Sequence, residues 1–343
     1  MSRRLRRSRG GALPAALIVV AVAAAVSAAV ATLAREEILL ARGRETAARA
    51  LAAADGCAAA VVSDLPAGWE FDTLIAGPDG VSGTPDDGER VSPPGCTARL
   101  RAAPGPVVPP RAILEVEAVA GGGRRAVEAL VARTGAPGVP ALIWLADLTS
   151  LRTPAGTLAL DGTDVARPGA YALAPLGAPA DPLSLDAWLA AQGARVTVAP
   201  AAGGSLRVPP PPIPELAVRM RNAAAASAGT LVPAGSPPLA LTLVIGDLTV
   251  PATALGRGLL LVDGLLDILG RFEFNGVVVA SAGIRVAAGA RFDVAGSIWL
   301  GSGASLVVDG DARVAARGDA LDAAESLLRL PRRAFLAGQR DPP

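Results

Sequence analysis

The densest gathering of residues able to do chemistry is Gly77-Pro78-Asp79-Gly80-Val81-Ser82-Gly83-Thr84-Pro85-Asp86-Asp87-Gly88-Glu89. Asp79, Asp86 and Asp87 can turn oxygen ligands toward one point, because the intervening glycines permit sharp reversals and carboxylates suit a hard cation such as calcium. The spacing is not that of an EF-hand loop. The same residues also build solvated Asp-Gly turns without any metal, so the loop has two readings. Cys57 and Cys96 are the only cysteines. Outside a bacterial inner membrane such a pair is expected to be oxidised, and closing the loop between them contributes ~3 to 4 kcal/mol in the chain-entropy model. The alternative is two reduced, buried, small hydrophobic side chains.

Missing residue types remove most other chemistry. The chain has no histidine and no lysine. Ser-His-Asp and Cys-His nucleophiles, histidine-ligated metals, Schiff bases, Walker A loops and Ser-Lys dyads are therefore excluded. Carboxylate chemistry on glycosides survives in principle. The 31 acids are scattered through turns, however, and no spacing singles out a pair. No catalytic residue is assigned, and a structural role rather than an enzyme is expected. A net charge of +1 leaves no electrostatic excess for phosphates and argues against nucleic acid as a partner.

These residues need elements to position them, and the first is unmistakable. Gly11 to Ala34 carries no charge, and a helix of about 20 such residues crosses a bilayer. Arg3, Arg4, Arg6, Arg7 and Arg9 precede it with no acid among them. The positive-inside bias then puts the N-terminus in the cytoplasm and the bulk of the chain in the periplasm, as a single-pass inner-membrane protein. The helical pattern continues past the membrane through Leu39, Ala47, Leu51, Ala54 and Ala58, with Glu45 and Arg49 four apart, until Leu65-Pro66 stops it. One helix over 12–64 is expected. Three readings fit its start: a cleaved secretory signal with a site near Val26-Ser27-Ala28, a plain membrane anchor, or a short basic leader cut after glycine.

The basic leader, the glycine before the apolar run and the helix that outlasts the membrane together resemble the N-terminus of type IV pilin-like proteins. That resemblance covers about residues 9–64. It implies that prepilin peptidase cuts after Gly11 or Gly10 and leaves Ala12 or Gly11 as the new terminus. The family's glutamate at the fifth mature position is replaced here by Ala16 or Ala15. Among the branches that can lack it are PilX-type minor pilins and tip pseudopilins, so the departure points to a minor component. The aspartate loop is similar to a calcium loop of some pilins and major pseudopilins, which implies Asp79, Asp86 and Asp87 as Ca2+ ligands. Implied partners are prepilin peptidase, other pilins or pseudopilins, the inner-membrane assembly platform and the lipid bilayer. Assembly in a pilus would bring the protein to the cell surface.

The remaining chain reads as mainly β within an α+β protein: a long N-terminal transmembrane helix, a pilin-like sheet and a C-terminal β-helix or β-solenoid. The leader is 1–11, the helix 12–64, and a pilin-like β region containing the disulfide loop 65–138. Strands within it alternate apolar and polar at 97–101, 112–119 and 125–132, with Gly121-Gly122-Gly123 as a hairpin turn. An irregular α/β insert with a proline-rich linker spans 139–238. Glycines at 258, 264, 270, 276, 283, 289, 296, 303 and 310 punctuate short apolar strands over 239–318, as solenoid rungs do. Within that region Leu259–Gly264 and Ser305–Gly310 look related. A capping helix and tail, 319–343, are expected to shield the open end of the solenoid, and this C-terminal part also resembles large PilX-type proteins.

Overall fold

The computed structural model describes residues 12–77, 81–104, 110–134, 138–147, 150–164, 173–199, 204–223 and 231–340, with backbone alone at 12–15. Helix α1 runs Ala12–Asp64 without a break and ends where Leu65, preceding Pro66, is driven out of the helical region. From Ala16 to Glu45 every residue of α1 is exposed. Leu17, Ile18, Val19, Val20, Val22, Val26, Val30, Leu33, Ile38, Leu39 and Leu40 are each more than half exposed. At ~1.5–3 kcal/mol per buried side chain, leaving this set in water forgoes on the order of 15 kcal/mol, as much as the whole stability of many domains. The stretch needs an apolar surrounding. Among the described residues α1 is the one helix long and apolar enough to cross a membrane.

The outer half of α1 buries a different face. Ala50, Ala54, Cys57, Ala58, Val61 and Val62 are buried at helical spacing. They lie against a sheet of β1 (Glu89–Arg90), β2 (Cys96–Ala102), β3 (Arg111–Ala120) and β4 (Gly123–Arg133), all antiparallel. A short α2 (Asp72–Ile75) precedes them. The small residues permit close approach: a Cβ on Gly123 would lie 3.0 Å from the Thr46 carbonyl. Gly121 and Gly122 both take positive φ, 58° and 81°, which a two-residue hairpin of this kind requires.

Beyond β4 come β5 (Ala141–Trp144), β6 (Leu151–Arg152), β7 (Thr157–Asp161), β8 (Ala174–Ala178), α3 (Pro182–Ala191), β9 (Val196–Val198), β10 (Leu206–Arg207) and α4 (Ile213–Ala223). Then β11 (Leu239–Ile245), β12 (Leu248–Val250), β13 (Ala254–Asp263), β14 (Leu265–Ile268), β15 (Arg271–Ala280), β16 (Gly283–Val286), β17 (Arg291–Leu300), β18 (Ser305–Val308) and β19 (Asp311–Ala315) follow. The odd-numbered strands of this last group stack in parallel as one sheet, the even-numbered as another. Leu239 sits beside Arg257, Ala254 beside Phe272 and Arg271 beside Arg291, steps of 18, 18 and 20 residues. The result is a β-solenoid of about four turns. Glycine divides a rung roughly into thirds, which is why the sequence shows a spacing of six or seven. Gly258, Gly276 and Gly296 fall in one column. A Cβ on Gly276, whose φ is +141°, would meet the Gly258 carbonyl oxygen at 1.8 Å.

The stack is not wound in chain order. The 139–238 segment, expected as an irregular insert, supplies rungs of its own. The first half of β17 pairs with β19 and its second half with β5; β6 then lies on β18, and β7 on β19. The chain enters this stack in the middle, winds out through β8, β9 and β10 to one end, and passes through the proline run and α4 to the other. From β11 it winds back until β19 meets the seam. Trp144 and Trp299 pack edge to face there at 5.2 Å. Ser297 Oγ donates to the Ala141 carbonyl at 2.8 Å, and Trp144 Nε1 to the Pro209 carbonyl at 2.7 Å.

Three further expectations are revised. Leu259–Gly264 and Ser305–Gly310 occupy different sheets, β13 and β18, so their similarity reflects shared turn chemistry and not equivalent rungs. Helix α5 (Gly318–Leu327) packs along β11, β13, β15 and β17, on the flank of the stack and not across its end. The tail does not trail: β20 (Ala334–Arg340) returns to pair with β4 and becomes the last strand of the N-terminal sheet.

Where the two halves meet, Arg133 is 1% exposed. Its Nη1 donates to the carbonyls of Pro66 (2.7 Å) and Arg332 (3.1 Å), its Nη2 to that of Glu70 (3.0 Å), and the guanidinium lies 4.3 Å from the Phe71 ring centre. Burial lowers its pKa to about 10. Arg133→Met should cost about 3–5 kcal/mol because three carbonyls lose their donor, and Gly276→Ala about 2–4 kcal/mol through strain and collision. Denaturant unfolding of the detergent-solubilised chain measures both; changes under 1 kcal/mol would contradict the assignments.

Candidate functional site

The processing residues Gly10 and Gly11 lie outside the described residues, and Ala12 is the first residue of α1. The disulfide is formed, Cys57 to Cys96. It staples the first residue of β2 to the buried face of α1 beside Ala54, Ala58 and Val61.

Asp79 also lies outside the described residues, while Asp86 and Asp87 close their own turn. Gly83 N–H donates to Asp87 Oδ2 at 2.7 Å and Thr84 N–H to Oδ1 at 3.3 Å. The Thr84 hydroxyl bonds both aspartates, at 2.7 Å to Asp86 and 3.1 Å to Asp87. Arg99 holds the loop from β2 through the carbonyls of Pro85 and Asp87. The Gly83 amide, foremost, keeps the Asp87 carboxyl below its ordinary pKa. Among the described residues no three acids gather as a metal cage. Among the described residues, then, Asp86 and Asp87 form a self-closed turn.

The outer face of the N-terminal sheet is a lattice of charge. Arg101 on β2 pairs with Glu115 on β3 and with Glu128 on β4, and Arg340 on β20 reaches the same Glu128 at 2.7 Å. Glu117 and Arg124 pair at the far end. Beside the lattice lies a cavity of about 510 Å³ bordered by Arg90, Arg99 and Glu117. Arg340, then Arg101, draws the Glu128 carboxyl below its ordinary value of 4.5.

A second charged surface runs along the solenoid. Glu273 and Asp293 stand side by side on β15 and β17, about 4.8 Å apart in strand spacing, on a cavity of about 330 Å³. A glycosidase would need two such carboxylates. Each is paired with the arginine two residues before it, Glu273 with Arg271 and Asp293 with Arg291. The repeat Arg-Phe-Glu-Phe at 271–274 and Arg-Phe-Asp-Val at 291–294, twenty residues apart, is the sequence signal for this surface, and it becomes legible only with the rung length in hand.

No family model matches the chain, and no curated protein matches it. Among solved structures, the competence-associated pilin ComZ from Thermus thermophilus aligns with 11% identity over 75% of this chain and 85% of that one, at a TM-score of 0.24. A likeness this slight decides nothing about fold or function.

The Glu128 node generates a test by pH. The fold favours its ionised form, so the stability it contributes is complete above the ordinary carboxylate value and is lost as pH falls through the depressed folded one. Glu128→Gln should therefore melt below the parent chain at pH 7, and the gap should close below about pH 4. A gap that persists at pH 3 would show that shape, not charge, matters at this position.

Proposed function

We propose that this chain is a structural, pilin-like protein. The observation that carries the reading is α1 itself: one unbroken helix, 53 residues long, whose first half is apolar and bare while its second half is the core of an antiparallel sheet. A soluble domain has no use for the nineteen bare, uncharged residues of 16–34. A protein that sits first in a bilayer and then among neighbouring helices does, since the same surface serves both surroundings. In this reading the basic leader stays in the cytoplasm, prepilin peptidase cuts at Gly11 or Gly10, and the assembly platform moves the chain from the inner membrane into a type IV pilus or type II secretion pseudopilus.

The size of the head supports a minor, tip-proximal position. Repeating subunits must pack their heads at the filament's helical rise, and a solenoid with two-ended winding is bulky for that; a tip has no neighbour above it. An uncleaved envelope protein displaying the same solenoid is the second reading, favoured by the alanine at the fifth mature position.

N-terminal sequencing of the protein from membranes with and without active prepilin peptidase tests this. A terminus at Ala12 or Gly11 that depends on the enzyme is expected. An intact start, or a cut near Ala28, would overturn the pilin reading.

A further inference from the structure

The cavity beside Glu273 and Asp293 continues into a second of about 260 Å³, the two sharing Asn275 and Arg317. Together they form a groove that runs along the stack. Arg257, Asn275, Ala295 and Ala315 occupy one register column on β13, β15, β17 and β19, and Arg313 stands two residues from that column on β19. Three strand spacings of about 4.8 Å separate the rungs of Arg257 and Arg313 by about 14 Å. Both are exposed, and their guanidinium groups make no ion pair or hydrogen bond with other described residues. Every other arginine on the groove is satisfied: Arg291 by Asp293 and Arg317 by Asp319. Ala295 and Ala315 leave the floor open between the two uncommitted cations.

We infer that this groove binds an acidic polysaccharide along the axis of the solenoid. The ligand class follows from the groove's mixed character. Two free guanidinium groups spaced along a track suit carboxylates set at intervals. Glu273, Asp293 and Asp319 are each neutralised by their own arginine, so only Arg257 and Arg313 remain to meet anionic charge, too few for a polymer charged at every unit, while the carboxylate oxygens and the Asn275 amide accept and donate to hydroxyl groups. A chain rich in hydroxyls with sparse carboxylates meets both demands; a nucleic acid, charged at every phosphate, does not. This inference goes beyond the structural role and does not depend on it, since binding is read on the isolated protein.

The full-length chain in neutral detergent is titrated with an oligogalacturonate, with its methyl ester, which removes the charge and keeps the hydroxyls, and with a single-stranded DNA oligomer. The acid should bind at least tenfold more tightly than the ester or the DNA. Arg257→Gln with Arg313→Gln should weaken the acid at least tenfold with an unchanged melting temperature, while Arg124→Gln on the other sheet changes nothing. Should the double variant unfold, each single variant should weaken the acid severalfold. No binding, equal binding of acid and ester, tighter binding of DNA, or indifference to the arginine changes would each overturn the inference.

Discussion

One buried guanidinium fixes how the two halves of this protein meet. Arg133 ends β4, and its donors reach the chain where it leaves α1, at Pro66 and Glu70, and where it returns from the solenoid, at Arg332. Gly68 and Arg332 also exchange both backbone bonds, at 3.0 and 2.7 Å. Burying an arginine with only carbonyls and an aromatic face as direct partners is costly, and its lowered pKa records that cost. The gain is geometric. Three passes of the chain, far apart in sequence, are held at one point, so the head cannot swing freely about the end of α1. Trp69 extends the junction: it lies within the solenoid's core cluster, donates to the Arg329 carbonyl and is covered by Arg219 at 4.3 Å.

The stack has a second joint, the seam, while β10 and β11 form its two ends. Here the chain is fed in at the middle, so the rung after β17 is shared by β19 and β5, and two separate segments complete it. The Trp144–Trp299 contact and the Ser297 hydrogen bond close that joint. Pairing Ile143 with Ile298 demands contact across a long stretch of chain and so carries a large loop-closure cost.

What could be read from the sequence was what local rules control. The bounds of α1 follow from apolar composition and one proline, the β3–β4 hairpin from a glycine run, and the disulfide from there being only two cysteines. The solenoid was legible as a rhythm of glycines. Its rung length was not, because three corners per turn make the short period the visible one. The role of 141–161 was hidden for a different reason: β5, β6 and β7 are short, and their partners are supplied by residues near 300. Arg133 gave no signal at all, since an arginine in an alternating strand reads as a solvent-facing residue. The groove arginines were individually ordinary; only the register that puts Arg257 and Asn275 in one column, with Arg313 beside it, makes them a site.

The apolar half of α1 carries a consequence for how it can associate. With alanine where a pilin would carry its glutamate, no carboxylate within 12–34 can attract a neighbour's terminal amine, and burying that amine unpaired would be expensive. Strength must come from packing, for which the many alanines allow close helix approach, as small residues do between membrane helices. Packing of that kind is tolerant of sliding. The charged belt that follows is not: Arg35, Glu36, Glu37, Arg42 and Arg44 lie exposed beyond the membrane stretch, whereas Glu45 is already engaged by Arg49. Beside a second helix these charges would be satisfied in few alignments. In the assembly proposed above, the uncharged stretch would set how strongly α1 is held in an apolar environment, and the belt would set where along a neighbour it comes to rest.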